Sequence, residues 1–146
     1  MTGTRKNGFL RCARGTAAIE FAMLAVPFLA LALGVVEFGR ACWTLEALQE
    51  SAVQGARCIG VHETGCYSSG SYSSTGTQSY VRTVANGWGI NLPTADITPT
   101  QSTTCGTVAG FSQVQISYTF GTVVGLLIPS LRNETFNVAS CFPLNP

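Results

Sequence analysis

The feature that most constrains this chain is an uncharged run of sixteen residues, Phe21 to Val36, directly behind a basic N-terminus. Extended back to Ala17, the run has twenty residues and one interruption, Glu20. Twenty helical residues at about 1.5 Å each reach roughly 30 Å, the thickness of a hydrocarbon core. Residues 1–15 hold Arg5, Lys6, Arg11 and Arg14 and no acid, whereas residues 16–146 hold four basic and seven acidic residues. The positive-inside rule therefore puts the N-terminus in the cytoplasm and everything after about Arg40 on the far side. Only 10% of the residues are charged and the net charge is +1. A soluble domain typically carries about 25% charged residues. That composition argues against a disordered chain or an ordinary cytosolic enzyme, and the missing basic footprint argues against a nucleic-acid partner.

Competing readings of the apolar run differ in how it is processed. A secretory signal peptide would be cut near Ala30-Leu31-Ala32. However, Glu20 sits near the start of its apolar region, and the run does not stop at that site. Lipid attachment at Cys42 is disfavoured by Arg40 in the small-residue box. An uncut membrane anchor remains open.

Glu20 separates these readings. A carboxylate near the end of a membrane helix costs free energy, up to about 3 kcal/mol at the centre, and usually has a partner. The stretch Arg14-Gly15-Thr16-Ala17-Ala18-Ile19-Glu20-Phe21 supplies one if the chain is cut after Gly15. Thr16 then becomes the amino terminus and Glu20 the fifth residue. The new amine and the carboxylate pair within one chain or between packed neighbours.

This segment resembles the type III prepilin cleavage site: Gly, four residues, then Glu and an aromatic. Continued through Ala22-Met23-Leu24-Ala25-Val26-Pro27, it is similar to the start of a TadE-like protein of the Tad (Flp) pilus system. Gly34-Val35-Val36-Glu37-Phe38-Gly39-Arg40 resembles the second half of that pattern, where the helix leaves the membrane. The resemblance covers about residues 14–60. It implies that Gly15 and Thr16 flank the scissile bond and that Glu20, with Phe21, serves recognition and assembly. It further implies a membrane-embedded aspartyl prepilin peptidase as processing enzyme. The other implied partners are the major Flp pilin, a TadF-like minor pilin, inner-membrane platform proteins and membrane lipid. No cofactor is implied.

The expected layout is a basic leader over 1–15, a transmembrane helix over 16–40 and its periplasmic continuation over 41–58. A Ser/Gly-rich loop over 59–79 and a small head over 80–146 follow. The fold class is α+β, pilin-like: a long N-terminal helix extending into a disulfide-stapled head. Leu45, Leu48, Ala52 and Ala56 recur at helical spacing and mark a packing stripe, against the head or against other helices. Gly34 and Gly39 allow close helix approach. A second helix is expected over about 78–87, with Val81, Val84, Ala85 and Trp88 on one side. Residues 91–104 read as turns and extended chain. Strands are expected where Val114, Ile116, Tyr118 and Phe120 alternate with polar residues, and over 135–142. The apolar connection Gly125-Leu126-Leu127-Ile128-Pro129 is too short to span a bilayer.

Cys12 falls in the leader and Cys42 at the outer end of the span. The other four, Cys58, Cys66, Cys105 and Cys141, would meet an oxidising periplasm. They allow three pairings, of which Cys58–Cys66 with Cys105–Cys141 is favoured. Zinc is disfavoured, because there is no Cys-x2-Cys pair and His62 is the one His. The acids beyond the helix, Glu63, Asp96 and Glu134, are too sparse for a carboxylate pair. No phosphate-cradling loop or nucleophile elbow is found. The expected function is therefore a pseudopilin or minor pilin of the Tad pilus, not an enzyme. The alternative is an uncleaved, membrane-anchored periplasmic binding or scaffold protein.

Overall fold

Helix α1 runs from Arg14 to Gly60 and carries Pro27 inside it without ending. The computed structural model describes residues 14–122 and 133–145. The basic residues Arg5, Lys6 and Arg11, Cys12, and the connection 125–129 lie outside them. The chain divides into two units after Val36.

The described part of the first unit, from Arg14, is helical and, Glu20 aside, exposes apolar side chains over residues 17–36. Phe21, Met23, Leu24, Val26, Phe28 and Leu31 are each about two-thirds or more exposed. A helix hydrophobic all round is covered by something other than water. This one is long and apolar enough to cross a membrane.

In the second unit, from Glu37, α1 buries one stripe: Thr44, Ala47, Leu48, Ser51, Ala52, Gly55, Ala56 and Ile59. The spacing of three and four residues is that of a single helix face. The expected stripe is corrected at its first member, because Leu45 is 37% exposed and Thr44 is buried instead. Thr44 Oγ1 donates to Arg40 O at 2.9 Å and Ser51 Oγ to Ala47 O at 2.7 Å. Hydroxyls satisfied on their own helix can be buried at little cost, which a hydrophobicity pattern does not register.

Helix α1 closes with Glu63 N–H donating to Cys58 O and His62 N–H to Ile59 O. His62 adopts the left-handed φ of 57° that such a C-cap requires. A two-stranded hairpin follows, β1 (Tyr67–Ser68) and β2 (Ser71–Tyr72). Its turn, Ser69-Gly70, has positive φ at both residues, the geometry that matches strand twist. Helix α2 (Ser74–Gly87) starts on Ser73, whose side chain accepts from Gly76 N–H. It ends with Ile90 N–H on Ala85 O and Gly89 N–H on Asn86 O. The left-handed glycine is Gly89, at φ 81°. The stretch expected as a loop over 59–79 thus holds the end of α1, a hairpin and the first turns of α2.

After a short 3-10 turn at Thr94–Asp96 come β3 (Ile97–Cys105), β4 (Val108–Phe120) and β5 (Glu134–Pro143). They form one antiparallel sheet in the order β3-β4-β5. Its inner face presents Val114, Ile116 and Val138 to Leu48, Ala52, Ala56 and Ile59 of α1 and to Val81 and Ala85 of α2. Buried Ser112 ties two elements together: its Oγ lies 2.8 Å from Ala56 O on α1 and 3.0 Å from Phe142 O on β5. The chain is therefore a long apolar N-terminal helix followed by an α+β head with two disulfides.

Candidate functional site

The candidate site is the segment of α1 that carries Gly15, Thr16, Glu20 and Phe21. All four lie within the helix. Gly15 and Glu20 are exposed, and Phe21 is 73% exposed. The side chain of Thr16 is outside the described part. A Cβ added at Gly15 would meet nothing within 4 Å among the described residues. Glu20 has no hydrogen-bond or ion-pair partner among the described residues. A carboxylate in an apolar membrane-type segment usually has a partner.

A second cluster stands where the uncharged run ends. Glu37 is half-buried, and its Oε1 accepts from Arg40 Nη1 at 2.9 Å. Its Oε2 accepts from Thr122 Oγ1 at 3.3 Å. The Arg40 guanidinium lies 5.6 Å from the centroid of the Phe120 ring, within cation–π range. Phe120 in turn stacks on Phe136 at 5.5 Å. Glu37 and Arg40 therefore hold the end of the β4–β5 pair against α1. Glu37-Phe38-Gly39-Arg40 resembles the second half of the family pattern, but the hold on β4 is not visible in the sequence. Thr122 is 85 residues from Glu37, and no local pattern links them.

The structure joins Cys58 to Cys66 and Cys105 to Cys141. Cys58 and Cys66 are fully buried within the apolar core. Cys105 and Cys141 are half-exposed and cross-link β3 to β5. Cys42 is a free, exposed thiol on α1.

Gly55, Gly60 and Gly65 are each needed by close packing, Gly65 because a Cβ there would meet the Tyr80 ring. A Cβ at Gly55 would run into the side chains of Val81 and Val114, and one at Gly60 into the Phe142 ring. At Gly34 and Gly39 a Cβ would meet nothing within 4 Å.

Chemistry of other kinds has little to work with. Among the described residues no group of three His, Cys, Asp or Glu could hold a metal ion. A shallow open depression of about 340 Å³ on the outer sheet face is lined by Asp96, Thr98, Gln115, Ser117, Asn137 and Ala139. It offers hydrogen bonds and one carboxylate, without a second titratable group for acid–base work.

Comparison with curated proteins and with solved structures gave no significant match. Residues 15–57 match the model of the family described as TadE-like protein. The match starts on Gly15, takes in Glu20, Glu37 and Arg40, and stops one residue before the first disulfide cysteine. Over this segment, which is nearly all of α1, the chain is similar to TadE-like proteins.

Proposed function

We propose that this chain is a pseudopilin or minor pilin of the Tad (Flp) pilus, cut after Gly15 by a prepilin peptidase. The family match over residues 15–57 supports a role in Tad pilus assembly, and with the apolar helix it fits an envelope location. In the finer reading, the mature chain begins at Thr16 and spans the inner membrane once. Its head lies in the periplasm. It acts in pilus initiation, in assembly, or in coupling the major Flp pilin and a TadF-like companion to the platform.

The observation that carries the reading is the position of Glu20. It is a carboxylate without a partner among the described residues, five residues past Gly15, followed by the uncharged run Phe21 to Val36. The α-amine released at Thr16 is the partner that chemistry supplies, in the same chain or in a neighbour.

The test is the intact mass of the full chain expressed with and without its cognate prepilin peptidase. Loss of residues 1–15 only when the peptidase is present is the expected result. An uncut chain in both cases would favour a permanent anchor. Loss of residues 1–32 would mean a secreted domain, and the role of Glu20 would fall with it.

A further inference from the structure

We infer that the end of the head built around Arg40, Trp43 and Trp88 is a docking surface for the lipid headgroups of the bilayer that α1 crosses. This rests on the membrane reading above and adds a second contact to it, made by the head itself.

The chain has two tryptophans, 45 residues apart, and they meet. Their rings lie edge to face at 5.3 Å, and Trp43 Nε1–H donates to Trp88 O at 3.3 Å. Yet Trp43 stays 56% exposed and Trp88 is only half-buried. Pairing has not taken these rings out of water. Rings with an apolar body and a polar N–H are the side chains that membrane interfaces select.

Their level along the chain agrees. Arg40 and Trp43 stand four and seven residues beyond Val36, or about 6 and 10 Å along a helix. The headgroup layer occupies roughly 5–8 Å on each side of the hydrocarbon core. Helical side chains also lean toward the N-terminus, which brings the Trp43 ring back toward that layer. Trp88, at the C-cap of α2, reaches the same level from another part of the fold through its contact with Trp43.

Arg40 completes the chemistry. Its side chain is 52% exposed, and one guanidinium nitrogen is engaged by Glu37. A guanidinium has five N–H donors in a fork that matches phosphate. The β4–β5 pair ends here too, with Phe120 against Arg40 and Thr122 on Glu37.

The two tryptophans are built-in reporters. The full chain is placed in vesicles of phosphatidylethanolamine and phosphatidylglycerol, and vesicle flotation is checked first. Trp43→Phe leaves Trp88 as the single reporter, and Trp88→Phe leaves Trp43. Lipids spin-labelled on the headgroup or at mid-chain, and aqueous iodide, are the quenchers. The expected result is loss of most Trp88 emission with the headgroup label, little loss with the mid-chain label, and protection from iodide. Trp43 should behave the same way. A chain that floats but whose Trp88 is open to iodide and silent to lipid labels overturns the docking and leaves the membrane anchor standing. Protection from iodide without lipid quenching also overturns it, since the cover is then protein. A chain that does not float overturns the membrane reading itself.

Discussion

Gly39 and Gly55 lie on the same helix and answer to different neighbours. The Cβ of an alanine at Gly55 would enter the space of Val81 and Val114. Helix propensity favours that alanine by about 1 kcal/mol, but overpacking a filled core costs about 1–3 kcal/mol. Gly55→Ala is therefore expected to lower stability by roughly 1 kcal/mol net, read by chemical denaturation of the head's tertiary signal. Gly39→Ala meets open space and should leave stability unchanged or raised by up to about 1 kcal/mol. If it nevertheless reduces piliation, the close approach at Gly39 is made to another chain. Gly15→Leu should leave the chain uncut by the peptidase, as read by mass. Glu20→Ala should be cut and yet yield few pili, as counted by microscopy. Normal piliation in that variant would remove Glu20 from the mechanism. Glu20 stands out in the sequence as the one charge within an apolar run. Gly55 does not stand out, because a glycine needed for room looks like any other until the neighbour is known.

At the scale of elements, legibility followed burial contrast. Strand β4 buries Ser112, Val114, Ile116 and Phe120 and turns Gln115, Ser117 and Thr119 outward, so its alternation could be read. Strand β3 could not, because after Ile97 it runs Thr98-Pro99-Thr100-Gln101-Ser102-Thr103-Thr104 without a large apolar residue. Pro99 also argues against a strand, yet β3 is an edge, where a missing backbone donor is tolerated. Its register shifts between Thr100 and Thr104 blunt that edge further. Helix α2 begins four residues earlier than periodicity suggests, because its first turn is Ser, Thr and Gly. What starts it is the Ser73 cap, whose hydroxyl accepts from Gly76 N–H at 3.0 Å. Ser73→Ala should cost about 1 kcal/mol, measured as a lower denaturation midpoint with an unchanged m-value. Ser73→Asp should restore most of it, since aspartate caps as well as serine and adds a favourable charge at the helix N-terminus.

The buried core of the molecule is unevenly distributed along the chain. Among the described residues the buried core lies in the second unit, drawn from α1, α2 and the sheet. A head of this size gains from covalent staples, and its two disulfides act differently. Cys58–Cys66 spans 8 residues and is buried in the core, whereas Cys105–Cys141 spans 36 and is half-exposed. On the chain-entropy model the shorter loop contributes about 2.5 kcal/mol and the longer about 4 kcal/mol. Replacing Cys105 and Cys141 by alanine should therefore cost about 4 kcal/mol, almost all of it through the unfolded chain. Because the released chain expands and exposes more surface, the m-value should rise along with the loss. Replacing Cys58 and Cys66 should release less of the chain but leave a gap among Ile59 and its buried neighbours. Cavity and transfer costs then add to the smaller entropic one, and the m-value should move less. Urea titrations of both variants, with Cys42 blocked to prevent cross-linking, separate the two mechanisms. A Cys105/Cys141 variant that loses stability at constant m would place the effect in the native sheet, between β3 and β5, instead of in the unfolded chain.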